Sequence, residues 1–305
     1  MKEKVIVICG PTASGKTNTG IELAKKINGE IISADSMQVY KEMNIGTAKP
    51  SEEEMQGIKH YLLDFVQPNE RYSVAQFKLD AKKAIKEIIS KCKVPIIVGG
   101  TGLYIDSLIY EIDYNDINID EEYRNELQEI VEEQGLHILY KKAIEIDPKA
   151  MEKVSKNDKK RIMRVLEIFH STGKTKTEQE AESRRNPVEF DYKVFAINWD
   201  RQVLYDRINK RVDIMIEQGL IQEVQYIFNK YDSFPTAMQG LGYKEVVDFL
   251  NGLYTKEEMI EKLKMETRRY AKRQLTWFRK NKETIWIDGA NDVETNVDFI
   301  LKFLN

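Results

Sequence analysis

Two hydrophobic rhythms alternate along the first hundred residues of this chain. Short, nearly unbroken apolar runs at Val5-Ile6-Val7-Ile8-Cys9, Glu30-Ile31-Ile32-Ser33-Ala34 and Lys93 to Val98 predict strands buried on both faces. His60 to Phe65 has the same texture and predicts a further strand. Between them, apolar positions three and four residues apart predict helices. Ile21, Ala24 and Ile27 form one such face, and Phe77, Ala81, Ala84, Ile85 and Ile88 another behind the cap residue Ser73. Strands alternating with helices specify an α/β fold, a parallel sheet flanked by helices.

Near Asp113 the alternation stops and only helical patterns follow. Asp120 to Glu133 turns Leu127, Ile130 and Val131 inward and stops at Gly135; His137 to Ile146 comes next, and Asp147-Pro148 is a cap and first-turn pair. A helix from Asp158 is predicted to bury Ile162, Val165, Leu166 and Phe169, ending near Gly173. Residues 114–188 therefore read as an all-helical insertion, with Lys174 to Pro187 as its return linker, and residues 1–113 plus 189–305 as the α/β core. In the second part of the core, Tyr192 to Trp199 predicts a strand. Asp200 caps a helix with Leu204, Ile208, Val212 and Met215 inward, stopped by Gly219. A long helix over about Lys256 to Lys280, a strand at Thr284 to Asp288 and an amphipathic tail helix complete the pattern.

The first strand runs directly into Gly10-Pro11-Thr12-Ala13-Ser14-Gly15-Lys16-Thr17, and the first helix follows at once. This is the G-x-x-x-x-G-K-T spacing in the strand, loop, helix setting that a phosphate-binding loop requires, and it makes the sheet P-loop NTPase-like. The glycines let backbone N–H groups converge at the positive end of the helix; Lys16 reaches outer phosphate oxygens and the Thr17 hydroxyl can ligate Mg²⁺. The loop specifies a diphosphate or triphosphate without naming its carrier.

Two more strand exits share that rim. Asp35-Ser36-Met37-Gln38 leaves the second strand and offers a carboxylate that could serve as a general base or hold an acceptor, against the plainer reading of a turn aspartate. Gly99-Gly100-Thr101-Gly102-Leu103-Tyr104 leaves another and turns Thr101 and backbone N–H groups toward the pocket. Asp64 reads as structural. Arg207 and Arg211 lie one turn apart on their helix and can point the same way; spacing leaves open which of them, if either, serves a leaving group.

Composition narrows the class. With 305 residues, 42% hydrophobic and 32% charged, the chain is globular and long enough for a substantial core. Two cysteines, Cys9 and Cys92, read as reduced thiols, and three scattered histidines with no Cys/His cluster argue against a structural zinc site. The apolar run after Met1 is too short for a signal peptide, and no stretch approaches the roughly 18 apolar residues of a membrane span. The expectation is a cytoplasmic protein with no membrane association, and a monomer. The net charge of −3 hides segregation: Lys153 to Lys176 holds eight basic residues against two acidic, and Lys262 to Lys282 nine against one. Two basic blocks on a mildly acidic chain fit a polyanion binder.

Taken together, Gly10 to Thr17, Ser33-Ala34-Asp35-Ser36-Met37-Gln38-Val39-Tyr40, Gly99 to Tyr104, Gly242-Tyr243-Lys244-Glu245 and Ala271-Lys272-Arg273-Gln274-Leu275-Thr276-Trp277-Phe278-Arg279 resemble the bacterial tRNA dimethylallyltransferases. The resemblance spans most of the chain. It implies transfer of a dimethylallyl group from dimethylallyl diphosphate to N6 of the adenine immediately 3′ of the anticodon, in tRNAs reading codons that begin with U. The products would be N6-isopentenyladenosine and diphosphate, and the partner the tRNA anticodon stem-loop. Asp35 matches the family's general base, Arg211 its diphosphate-binding arginine, and Lys16 and Thr12 touch the donor. The same resemblance makes Asp35, Ser36, Met37 and Gln38 the holders of the extruded adenine and Thr101 a tRNA contact. It extends tRNA contact to Lys159, Lys160, Arg161, Ile162, Met163 and the adjacent Arg164, with Arg124 a looser match. At Lys160-Arg161 the family usually has Gln-Arg.

Three other readings compete. A small-molecule kinase would share the loop and Mg²⁺ but commonly covers its phosphates with a short arginine-bearing lid, not a helical insertion. A prenyltransferase for free adenine nucleotides needs few phosphate contacts, so two basic blocks count against it. A non-catalytic RNA-binding module would retain the loop as a relic and would not need Asp35.

Overall fold

Val5, Val7 and Cys9 point to one side of the first strand, Ile6 and Ile8 to the other, and all five are fully buried. That demands cover on both faces. The structure, a computed structural model, describes residues 2–113, 120–183 and 185–304. These form two units, Met1–Ile109 with Glu189–Asn305, and Tyr110–Val188. Residue 114, the expected start of the insertion, lies outside the described residues.

In the first unit the chain runs β1 (Lys4–Cys9), α1 (Lys16–Ile27), β2 (Gly29–Ser33), the single turn α2 (Glu52–Met55), β3 (His60–Tyr61), α3 (Val74–Ser90), β4 (Val94–Gly99) and α4 (Gly102–Ile109). The second unit holds α5 (Glu121–Gln134), α6 (Leu136–Ile146), α7 (Pro148–Met151), α8 (Lys159–Thr172) and α9 (Lys176–Ser183). The first unit resumes with β5 (Asp191–Asn198), α10 (Arg201–Glu217), α11 (Leu220–Lys230), α12 (Tyr243–Leu250), α13 (Lys256–Phe278), β6 (Ile285–Asp288) and α14 (Val293–Leu301).

The six strands among the described residues are all parallel, in the order β3-β2-β4-β1-β5-β6. On one face α3, α4 and the end of α13 contribute Phe77, Ile85, Ile105, Leu108 and Phe278; on the other α1 and α14 contribute Ile21, Leu23, Val297 and Ile300. A third cluster joins Tyr40 and Met43 to Val212, Leu220, Val224, Ile227, Tyr243 and Met259. At its edge Glu223 accepts from the Asn44, Ile45 and Gly46 amides at 2.9, 2.7 and 3.0 Å and from the Tyr243 hydroxyl at 2.7 Å. The polar loop after β2 is thereby fixed to α11.

Parallel strands leave the sheet on the same side, so the exits of β2, β4 and β1 are neighbours: Ser33 pairs with Val98, and Cys9 with Gly99. The local signals for the helices are met by their caps. Ser73, Asp120, Asp158, Asp200, Thr255 and Asp292 each accept a backbone N–H in the first turn of the helix they precede.

Four expectations need correction. The strand expected over His60 to Phe65 stops after Tyr61, because Leu62 and Asp64 take left-handed backbone angles and Asp64 pairs with Lys49 at 2.5 Å. The expected return linker, Lys174 to Pro187, contains α9, started by a reciprocal cap in which Thr175 Oγ1 accepts the Glu178 amide and Glu178 accepts the Thr175 amide. Gly219, expected only to stop a helix, separates α10 from α11. Phe169 is 38% exposed; α8 buries Met163 and Ile168 beside the expected Ile162, Val165 and Leu166.

Candidate active site

The loop between β1 and α1 is curled by residues with positive φ, Gly10 at 153°, Ala13 at 62° and Gly15 at 91°. At Gly15 the left-handed conformation favours glycine for its lack of a Cβ. The first turn of α1 carries no acidic residue and its N-cap supplies no side chain, so its amides and positive dipole end face the concavity. Lys16 Nζ folds back onto the Pro11 carbonyl at 3.2 Å. Ser14 is 2% exposed, yet its hydroxyl makes no hydrogen bond to a described residue. Thr12 and Thr17 are half-buried at either end of the curl.

Three side chains from distant parts of the sequence hold this backbone. Gln274 Oε1 accepts the Thr12 N–H at 2.9 Å, Arg207 Nε donates to the Ala13 carbonyl at 2.8 Å, and Trp199 Nε1 donates to the Ser14 carbonyl at 2.9 Å. The Arg207 guanidinium lies over the Trp199 ring, 4.2 Å from its centroid, a cation–π arrangement. Sequence spacing left Arg207 and Arg211 unresolved; Arg207 is the one that bonds to the loop.

Arg211 belongs to the same field. Burial, then the nearby Arg211, lowers the Lys16 ammonium to about 8, with Asp35 and Cys9 opposing. Burial also lowers Arg211, which is favoured in turn by Asp35 and Glu54 and disfavoured by Arg207. Two cations and one carboxylate thus share a weakly solvated pocket, a setting that favours an incoming anion.

Asp35 sits where β2 ends. Its Oδ1 accepts the Met37 amide at 2.9 Å and the Gln38 amide at 3.3 Å, while Oδ2 makes no hydrogen bond to a described residue. Thr101, from the exit of β4, closes the same turn: its hydroxyl accepts the Ser36 amide at 3.0 Å and donates to Ser36 Oγ at 3.3 Å, and its own amide bonds to the Ala34 carbonyl at 3.1 Å. Gln38 is committed inward, accepting from Ser33 Oγ at 3.2 Å and donating to the Thr47 and Ala48 carbonyls, both at 3.1 Å. Burial, followed by Asp35, pushes the Tyr270 hydroxyl above its ordinary range, with Thr101, Arg273 and Gln274 opposing.

Comparison with known proteins bears on what this pocket serves. Residues 38–281 match the family described as IPP transferase. The tRNA dimethylallyltransferase of Acetivibrio thermocellus is 54% identical over 94% of this chain and 92% of its own length. The chain belongs to the IPP transferase family. Among solved structures, the tRNA isopentenylpyrophosphate transferase of Bacillus halodurans is 43% identical, covers 99% of this chain and 96% of its own, and superposes with a TM-score of 0.75. A eukaryotic dimethylallyltransferase solved in the course of acting on tRNA is 32% identical, covers 98% of this chain and 77% of its own, and gives a TM-score of 0.82.

In this IPP transferase the expected tRNA-contact residues of the second unit divide by burial. Ile162 and Met163 are 0% and 8% exposed and pack with Leu127, Leu139 and Leu166 in the helical core, so their side chains position α8 and are not available to a ligand on its outer face. Lys160 and Arg161 are exposed, Arg161 pairing with Asp158 at 3.2 Å. Arg124 Nε bonds to the buried Glu167 carboxylate at 2.8 Å, and Arg164 approaches the same carboxylate at 3.6 Å. Lys159 bonds to Gln128. Gln274, Trp199 and Tyr270 received no role from the sequence. Gln274 offered one signal, a polar residue on the stripe that carries Met259, Leu263, Ala271 and Phe278 of α13.

Proposed function

We propose that this protein transfers a dimethylallyl group from dimethylallyl diphosphate to N6 of the adenine immediately 3′ of the anticodon in tRNA. The observation that carries the reading is Asp35, one oxygen anchored by two amides and the other without a hydrogen bond to a described residue, in the electrostatic reach of Lys16 and Arg211 beside a phosphate loop. A neutral adenine amine is a weak nucleophile. As the allylic C–O bond breaks and the C–N bond forms, Asp35 Oδ2 takes the N6 proton and diphosphate departs. The negative charge growing on that leaving group meets the loop amides, Lys16, Arg211 and Arg207. Thr12 borders the donor, and the target base must leave its stack to reach the pocket, where Asp35 to Gln38 form the turn that receives it. Thr101 acts by fixing that turn, and Arg124, Lys159, Lys160, Arg161 and Arg164 supply cations for the RNA backbone.

The donor set fits Mg²⁺ in one way. Among the described residues no group of three or more His, Cys, Asp or Glu side chains converges on a cation position, whereas the Thr17 hydroxyl stands at the start of α1. A magnesium ion would therefore be held through Thr17 and the diphosphate itself, and would neutralise leaving-group charge.

The test incubates the protein with Mg²⁺, labelled dimethylallyl diphosphate and unmodified anticodon stem-loop RNA carrying A-A-A, with AMP and ATP as parallel acceptors. Label in the RNA alone is the expected result. Label in the nucleotides would reassign the acceptor, and phosphate transfer from ATP with no prenylation would return the loop to kinase chemistry.

A further inference from the structure

Gln274 is 6% exposed on the inward face of α13 and uses both ends of its carboxamide. Oε1 accepts the Thr12 N–H at 2.9 Å and Nε2 donates to the Gly100 carbonyl at 2.9 Å. Thr12 offers only a donor in its backbone N–H and Gly100 only an acceptor in its carbonyl, so the orientation of the amide is fixed by its partners. Thr12 belongs to the loop after β1, and Gly100 to the turn after the adjacent strand β4, one residue before Thr101. A Cβ on Gly100 would overlap the Gln274 nitrogen, so the close approach requires glycine there. One buried amide therefore spans the gap between the exits of two neighbouring strands.

We propose that Gln274 is a positioning residue that sets the separation between the donor loop and the turn carrying Thr101, and through Thr101 and Ser36 the placement of Asp35. The inference rests on the prenyl-transfer reading and deepens it. The two hydrogen bonds register the allylic carbon of the donor against the amine of the acceptor, although Gln274 touches neither. A slip of about 1 Å between reacting groups can cost roughly 10²-fold in rate. Loss of this link should therefore lower kcat and leave both KM values close to wild type.

The experiment compares full-length wild type with Gln274→Met, which matches the length and makes neither hydrogen bond, and Gln274→Glu. With labelled dimethylallyl diphosphate and the A-A-A stem-loop, Gln274→Met is expected to lose roughly 30- to 100-fold in kcat, with each KM within about threefold of wild type. Gln274→Glu sets a carboxylate against the Gly100 carbonyl when ionised, and donates an O–H to it when protonated. Its kcat relative to wild type should therefore climb as pH falls from about 8 to about 5.5. Near-wild-type kcat in Gln274→Met, or a loss confined to KM, would overturn the inference alone. Should Gln274→Met fail to fold, a flat pH ratio for Gln274→Glu would overturn it equally. Wild-type protein that transfers nothing to RNA would overturn the prenyl-transfer reading and this inference with it.

Discussion

Arg207 donates its Nε–H to the Ala13 carbonyl at 2.8 Å while its guanidinium face lies on Trp199. The arginine thus shapes the loop from outside and presents its remaining N–H groups near Gly15. Arg207→Ala is expected to lower kcat/KM for the prenyl donor by roughly 10- to 100-fold, the cost of a charge-assisted hydrogen bond. Lysine carries the charge without the planar fork or the stacking face, so Arg207→Lys should recover less than about threefold of that loss. Steady-state kinetics with the donor varied at saturating RNA measures both.

Asp35→Asn separates two duties of one side chain. Asparagine Oδ1 can still accept the Met37 and Gln38 amides, so the turn persists, but the proton acceptor is gone. Single-turnover transfer should slow by roughly 10²- to 10⁴-fold. Stem-loop affinity, read by filter binding, should stay within a few-fold of wild type.

Lys16 gives the donor site a pH dependence of definite sign. Its ammonium is lowered to about 8 by burial and by Arg211, so the cation that attracts diphosphate is complete below that pH and fades above it. kcat/KM for the donor should be level on the acid side of about 8 and decline above it, and Lys16→Met should remove that limb along with most donor binding. Diphosphate restores the charge as it binds. Calorimetry near pH 8 in buffers of different ionisation enthalpy should therefore register uptake of about half a proton.

Glu223 bears on stability more than on chemistry. Its carboxylate serves three consecutive amides and the Tyr243 hydroxyl, and Glu223→Ala strands all four donors. Partial access of water to the loop limits the cost, and a loss of roughly 2 to 4 kcal/mol in unfolding free energy is expected by urea titration. Tyr243→Phe removes one donor together with its partner bond and should cost about 1 kcal/mol.

Much of this fold is legible because its signals are local. The apolar run before Gly10, the cap residues Ser73 and Asp200, and the glycine-rich exit after β4 each announce themselves within a few residues. The errors arise where two elements abut or where burial is decided by tertiary packing. Only Gln218 and Gly219 separate α10 from α11, and Phe169 keeps the helical period but lies outside the core. In the candidate site, Asp35, Lys16 and Thr101 were identifiable from strand exits. Gln274 and Trp199 were not, because their partners Thr12 and Ser14 lie 262 and 185 residues away and periodicity does not say whom an inward polar group meets. Motif likeness marked Ile162 and Met163 without regard to which way their side chains point.

The position of β1 in the sheet carries a consequence for how the protein is born. Its residues pair with β4 on one edge and with β5 on the other, Lys4 lying opposite Asp191. A nascent chain leaving the ribosome therefore holds β1 with an open edge until the whole helical insertion has been synthesised, and the Thr12 amide waits longer still, for Gln274. The phosphate loop is made well before the segments that finish it. A message cut short before α13 would yield a chain that displays the signature of a phosphate binder without the scaffold that gives it shape.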